Sequence, residues 1–424
     1  MDNQHNNNWY KLDNVANVFL ASYNKRDTRC MRVSATLIEE INPDTLQKAL
    51  DITMKTQKQF QFRIRRGFFW HYLEPTNITP KVVEENGRPC PILCGNKNEG
   101  VLHFRVSYYR NRINIDIFHA LADGTGALGF LHLLVGNYLK LVHPDEIDDI
   151  LPQGNGSEAD RIRNSYEQFY DNKNGAIPKT ILNKKKKAYH IQSRKLPYDQ
   201  LQFFEIHTQA SVLKKKSKEL SVGMSAYIGA RLMMAINEDR SLIHKSKPIT
   251  ISVPVNLRNY YPSNTMRNFF NSVDVSHVFT GEETIESLAR EFDTKLKEAL
   301  IPDSIQKQMN RYESMERLFF TRVVPLKIKQ TVIRCFAKKE GKTVTAVLSN
   351  LGKVDVPESQ KAYIKGISDY CSTDKLFITM TSYDDDICMG VVSAYSSTSV
   401  LKHFINALQN DGADIVLYAS EVVY

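Results

Sequence analysis

The residues best suited to chemistry stand together in Phe118-His119-Ala120-Leu121-Ala122-Asp123-Gly124. Imidazole titrates near neutrality, so His119 can take a proton from a hydroxyl or amine and later return it to a leaving group. Asp123 suits a fixed anion better than a second base. Ion-paired with a distant arginine, it would pin the loop and so aim the ring. Gly124 lets the chain turn tightly into the helix that follows. Taken without context, the same residues also describe a satisfied histidine beside a helix-capping aspartate.

Other patterns compete for attention. Gly124, Gly126 and Gly129 satisfy the dinucleotide fingerprint G-x-G-x-x-G. However, the stretch from His119 to Asp123 separates the first glycine from the preceding strand, and that strand is half polar. No strand ending in an acidic residue follows about 20 positions later, where the fingerprint needs one. Pro144-Asp145-Glu146 there reads as a helix exit. Gly341-Lys342-Thr343 has Phe336 where a phosphate loop needs its first glycine, and Gly223-Met224-Ser225-Ala226-Tyr227 has a tyrosine where a nucleophile elbow needs its second. Cys90 and Cys94 lack two further ligands at zinc spacing, so no metal site is expected. His132 lies on an apolar helical stripe and reads as a core residue.

The elements around His119 follow from periodicity. Residues 101–118 alternate as an antiparallel hairpin turning at Arg110-Asn111-Arg112. Ile113, Ile115 and Ile117 lie on one face of its return strand, with Asn114, Asp116 and Phe118 on the other, expected to be wet. Leu128, Leu131, Val135, Tyr138 and Val142 predict a helix from about Gly124 to Val142. Asn42-Pro43-Asp44 opens another, and Phe68-Phe69-Trp70-His71-Tyr72 reads as a strand. Residues 201–424 alternate strands and helices, including a strand Ile249–Val253 closed by Pro254 and a hairpin turned by Asp384-Asp385-Asp386.

At 424 residues, with 42% hydrophobic and 24% charged positions, the chain has material for two cores. The expected division is residues 1–175 as an N-terminal lobe, 176–200 as a polar linker, and 201–424 as a C-terminal lobe. The net charge of +9 suits an anionic partner but does not choose one. No RNA-binding motif accompanies it, so nucleic acid is not expected. Lysine runs such as Lys184 to Lys187 and Lys214 to Lys216 read as solvated faces. The six scattered cysteines read as free thiols. The first twenty residues lack a basic start followed by an apolar run, and no stretch of about 18 apolar residues predicts a membrane span, so a cytoplasmic location is expected.

H-x-x-x-D-G after a half-polar strand, about 120 residues into a chain of this length, resembles the condensation-type, coenzyme A-dependent acyltransferase superfamily. That superfamily includes chloramphenicol acetyltransferase, the plant BAHD enzymes, polyketide-associated acyltransferases and peptide-synthetase condensation domains. The closest likeness is to bacterial alcohol acetyltransferase-like proteins. It rests on Trp9-Tyr10-Lys11-Leu12-Asp13-Asn14, Gln59 to Arg63, Arg66-Gly67-Phe68-Phe69-Trp70, Pro254-Val255-Asn256-Leu257-Arg258, Asn268-Phe269 and Leu348-Ser349-Asn350-Leu351-Gly352. Phe118 replaces the second histidine that many relatives carry, and the D-F-G-W-G of the plant branch is absent.

The resemblance implies an α/β (α+β) fold of two chloramphenicol-acetyltransferase-like lobes. Each has a mixed sheet flanked by helices, and an active-site tunnel runs between them. It implies His119 as catalytic base, Asp123 as structural anion, Arg258 as its ion-pair partner, and Gly124 leaving room for the acyl donor. Ser349 and Asn350 would sit at the lobe interface near the oxyanion. The implied reaction moves an acyl group, acetyl in the first instance, from an acyl-CoA cosubstrate to a small alcohol or amine, with no permanently bound cofactor. A carrier-protein thioester as donor, with an acyl carrier protein as partner, and a non-catalytic binding protein are the alternatives.

Overall fold

The computed structural model describes residues 9–94, 102–148, 150, 156–171, 186–198, 200–317 and 323–420. In chain order the strands are β1 Tyr10–Lys11, β2 Cys30–Leu37, β3 Phe62–Arg66, β4 His71–Pro75, β5 Val82–Glu84, β6 Phe104–Tyr109, β7 Arg112–Phe118 and β8 Gln202–Gln209. They continue as β9 Ile249–Asn256, β10 Phe270–His277, β11 Ala346–Lys353, β12 Ile364–Cys371, β13 Leu376–Tyr383, β14 Asp386–Ser393 and β15 Val416–Ala419. The helices that bear on function are α1 Asn14–Ser22, α2 Pro43–Thr56, α3 Gly124–Val142, α4 Met224–Asp239 and α5 Leu326–Gly341.

Two mixed sheets organise the chain. One has the order β12-β2-β7-β6-β5, with only β5 and β6 parallel. The other has the order β10-β9-β11-β13-β14-β8-β15, parallel only at β9-β11 and β11-β13. A small antiparallel sheet, β1-β4-β3, pairs with neither but packs Phe62 and Leu73 into the first core. The first core gathers the isoleucines of β7 with Leu46, Ala49 and Leu50 of α2 and Phe130 and Leu134 of α3. The second gathers α4 with the apolar residues of β9, β11, β13 and β14. This is the two-lobed α/β arrangement expected above.

Local signals explain the helices. Asn42 caps α2 by accepting from the Thr45 amide at 3.0 Å, Pro43 sits in its first turn, and Lys55 lies in its last. Helix α3 is long and apolar enough to cross a membrane, yet 61% of that window is buried inside the fold. It is apolar nearly all round because α2 and the first sheet cover it, as for a core helix.

Several expectations need correction. The polar face of β7 is dry: Asn114 is 3% exposed and Asp116 0%. A layer of paired charges replaces water there. Arg32 grips Asp116 through two bonds of 2.8 and 2.7 Å, Arg105 reaches Asp116 and Glu85 at 2.8 and 3.0 Å, and Arg112 meets Glu205 of β8 at 3.0 Å. Strand β9 runs through Pro254, which pairs with Ser272; β11 joins β9 only at Ile251 and Ser252, so the proline lies where that side is unpaired. The strand read from Phe68 begins at His71, because Gly67 to Trp70 make the turn of the β3-β4 hairpin. Helix α1 was not foreseen.

One strand crosses the boundary drawn at residue 200. β12, from the second half, forms the edge of the first sheet beside β2. Asn172 to Gly175, residues 176–185 with Lys184 and Lys185, and Gly154 lie outside the described residues. Beyond them the chain is held against the second half, with the Ala188 amide donating to the Lys342 carbonyl at 3.0 Å and the Tyr189 amide to the Pro248 carbonyl at 2.7 Å.

Candidate active site

His119 sits one residue past the end of β7. The last pair of the β2-β7 ladder is Cys30 with Phe118, and the His119 amide then donates to the Arg29 carbonyl at 2.8 Å. The chain turns at once, with the Leu121 amide donating to the Phe118 carbonyl at 2.9 Å, and enters α3. The ring is therefore held at the lip of the sheet. Phe19 of α1 tilts against it with centroids 4.5 Å apart, and Phe270 at the start of β10 lies at 5.8 Å.

Asn268 decides which ring nitrogen is free. Its Nδ2 donates to the His119 carbonyl at 2.9 Å, and that carbonyl can only accept. The Asn268 Oδ1 therefore faces Nδ1 of the ring, at 3.2 Å. An oxygen facing a nitrogen at that distance requires Nδ1 to carry the hydrogen. In the neutral ring Nε2 is then the lone-pair acceptor. Burial pushes the His119 pKa below its ordinary value, and the Arg29 charge adds to this; the ring's own carbonyl, Asp123 and Asn268 pull the other way. The imidazole is thus kept neutral and basic at Nε2.

Asp123 is 4% exposed and fully engaged. Its Oδ1 caps α3 by accepting from the Gly126 amide at 3.0 Å, while Oδ2 accepts from Arg258 at 2.7 Å and from the Phe269 amide at 2.9 Å. Arg258 also donates to the carbonyls of Thr265 and Arg267, at 2.8 and 2.7 Å. A second device mirrors this one. Asp13 caps α1 through the Ala16 amide at 2.7 Å and pairs with Arg267 at 3.2 Å. The segment from Asn256 to Phe269 thus clamps the N-termini of both helices beside His119, and Asn268 lies within it. Gly126 belongs to the same clamp, because a Cβ there would stand 2.2 Å from the Met266 carbonyl oxygen.

The structure brings His119, Asp123 and Arg258 into one network. Gly124 lies against Leu351 of β11. The Cδ2 of Leu351 would lie 2.4 Å from an added Cβ, so the glycine allows that side chain to approach. Asn350 is exposed and commits its Nδ2 to the Ser225 hydroxyl at 3.1 Å and its Oδ1 to the Gly352 amide at 2.9 Å. Ser349 is half-buried opposite Thr379, on the face of β11 away from Leu348 and Asn350. Among the described residues neither makes a hydrogen bond to His119. His132 has a buried Nδ1 without a partner and a pKa lowered by burial, in keeping with a core position. Sequence reasoning missed Arg29 and Phe19, which carried no signal, and gave Asn268 no role although it stood in a quoted motif.

Among the described residues, two groups bring possible metal-ligating atoms together: Cys30 with Cys90 and Asp116, and Glu205 with His207 and Cys388. In each the carboxylate is already paired with an arginine, Arg32 or Arg112. Cys90 therefore meets Cys30 rather than forming a site with Cys94. Away from His119, small cavities lie by Val400 and Leu401 and by His132 and Gln360.

No protein-family model matches this sequence, and no curated protein matches it. Solved structures do. Polyketide synthase associated protein 5 from Mycobacterium tuberculosis superposes with a TM-score of 0.63 at 14% identity, covering 94% of this chain and 96% of that one. Trichothecene 15-O-acetyltransferase from Fusarium sporotrichioides gives 0.61 at 10% identity, covering 95% and 94%. The starter condensation domain of rhizomide synthetase, solved as a variant with C8-CoA and Leu-SNAC, gives 0.61 at 10% identity, covering 95% and 94%. At these identities the likeness establishes architecture: over nearly its whole length, this chain has the two-lobed fold shared by such acyltransferases and condensation domains.

Proposed function

We propose that this chain is an acyltransferase that moves an acyl group, acetyl in the first instance, from a coenzyme A thioester to the hydroxyl or amine of a small acceptor. The observation that carries this reading is the committed tautomer of His119. Its Nδ1 hydrogen is spent on Asn268, which leaves Nε2 as a base at a seam lined by both halves. Nε2 takes the acceptor proton as the oxygen or nitrogen attacks the thioester carbonyl. The tetrahedral intermediate collapses, the carbon–sulfur bond breaks, and the imidazolium returns the proton to the thiolate. No acyl-enzyme forms and no resident cofactor is needed. Asp123 works at a distance, holding α3 and the loop that aims the ring, with Arg258 as its counter-charge.

Ser349 is the better candidate for the oxyanion. Its hydroxyl makes no hydrogen bond among the described residues, whereas the amide of Asn350 is occupied. The fold supports the donor assignment, since one structural neighbour was solved with C8-CoA and another is named an acetyltransferase. Acyl-CoA as cosubstrate also fits a cytoplasmic setting.

The test is thiol release from acetyl-CoA with a panel of alcohols and amines. Acceptor-dependent release should fall about a hundredfold or more in His119→Ala. Equal release from both proteins would remove His119 as the base. Release only from a carrier-bound thioester would make an acyl carrier protein the donor instead.

A further inference from the structure

Helix α5 turns its apolar side outward. Leu326 is the buried residue of the helix, while Ile328, Val332 and Phe336 are 55%, 48% and 44% exposed. Their spacing of four places them on one stripe. A helix of a globular protein ordinarily buries such a stripe. The helix is also basic, with Lys327, Lys329, Lys338 and Lys339 against a single Glu340, while Arg334 donates to the Ala21 carbonyl of α1 at 2.9 Å.

The tip of the β3-β4 hairpin extends this face. The Leu326 amide donates to the Phe68 carbonyl at 2.9 Å. Lys329 donates to the Phe69 carbonyl at 2.7 Å and lies 5.8 Å above the Trp70 ring. Phe68 is 72% exposed and Trp70 43%. Trp9, 60% exposed, meets Tyr72 edge-on beside them. Exposed aliphatic side chains of α5 and exposed aromatic rings of the hairpin tip thus lie on two adjoining elements that also carry lysines.

That combination is complementary to a lipid surface. Aliphatic side chains suit the acyl region, aromatic rings the headgroup boundary, and lysines the phosphates. We infer that this face docks the protein peripherally on an anionic phospholipid membrane, with α5 lying in the membrane plane and the tip Phe68–Trp70 entering the headgroup layer. The net charge of +9 draws the molecule the same way. An acidic protein would satisfy the lysines, but the aliphatic stripe would demand an apolar groove as well.

The chain carries its own reporter, because Trp9 and Trp70 are its only tryptophans. The full chain would be mixed with vesicles of phosphatidylcholine alone or blended with phosphatidylglycerol. Co-sedimentation with the blended vesicles, a blue shift of tryptophan emission, and loss of both at high salt are expected. Ile328→Glu with Phe336→Glu should abolish the shift. Lys327→Gln with Lys338→Gln should weaken binding on the order of tenfold or more. All four positions are exposed, so circular dichroism should not change, and His119→Ala should bind vesicles like the native chain. Three results would each overturn the inference: no binding to phosphatidylglycerol vesicles, equal binding by the glutamate variant, or a shift produced only by self-association or by an acidic carrier protein.

Discussion

At the scale of single residues, the most informative contact is the one between Asn268 and His119. It uses both ends of one amide to fix both the position and the tautomer of the ring. Asn268→Asp would place an anion 3.2 Å from Nδ1, in place of a neutral oxygen. It should therefore raise the His119 pKa, which burial now holds below its ordinary value. In the proposed mechanism the neutral ring is the base, so the acid limb of kcat/KM should move to higher pH in the variant. A pH–rate profile checks this, and an unmoved limb would reduce Asn268 to a packing role. The contact between Arg258 and Asp123 was anticipated by the resemblance, which rests on short motifs whose order can be read along the chain. Asn268 was not, because its role exists only where the two halves meet, 149 positions away from the ring it orients.

At the scale of elements, two helices begin at aspartates that are both caps and ion-pair partners. The two duties can be separated at Asp123. Asparagine is an equally good cap, so Asp123→Asn should keep the cap while losing the charge and the acceptor for the Phe269 amide. Leaving Arg258 unpaired in a site where the two side chains are 11% and 6% exposed should cost about 3–5 kcal/mol. Asp123→Ala should cost roughly 1 kcal/mol more through the missing cap. Thermal or urea melts of both variants would show this ordering, and a native-like melt for Asp123→Asn would mean the pair is not holding the helix. Sequence alternation identified β7 but misjudged its polar face. Asn114 and Asp116 alternate alike whether water or arginine covers them, and Arg32 and Arg105 come from other strands, with Glu85 one residue past β5. Strand β12 escaped notice because Gly366 interrupts its pattern, at the point where its register with β2 shifts. For α5 the periodicity gives a stripe but not its direction.

At the scale of the molecule, β12 brings the two sheets together. A Cβ on Gly390 of β14 would lie 1.8 Å from the Asp369 carbonyl oxygen, and the Thr379 hydroxyl donates to that same oxygen at 2.6 Å. The Asp369 carboxyl is enclosed at this junction. Burial pushes its pKa up to about 7, the Thr381 and Thr379 hydroxyls pull it down, and the Glu205 charge adds to the rise. The sign follows from proton counts. The folded chain keeps this proton up to about pH 7, while the unfolded chain releases it near the ordinary carboxyl value. Stability from this group is therefore greatest in acid, declines across that interval, and is flat above it. Asp369→Asn mimics the protonated form, so it should raise the melting temperature more at about pH 8 than at about pH 5. Equal gains at both would remove Asp369 as the titrating group. The two-lobed plan was legible from composition and strand–helix order, but nothing in the local pattern of β12 says which lobe it serves.

That placement also bears on how the protein is made. On the ribosome the first half emerges early, yet β2 lacks its outer neighbour until Ile364 has been synthesised, about 330 residues after Leu37. Until then the nascent first sheet presents an open edge on which other strands could template. The last part of the chain is thus what makes the first part safe, and a shortened transcript ending before Cys371 would yield a sticky fragment rather than a free-standing lobe.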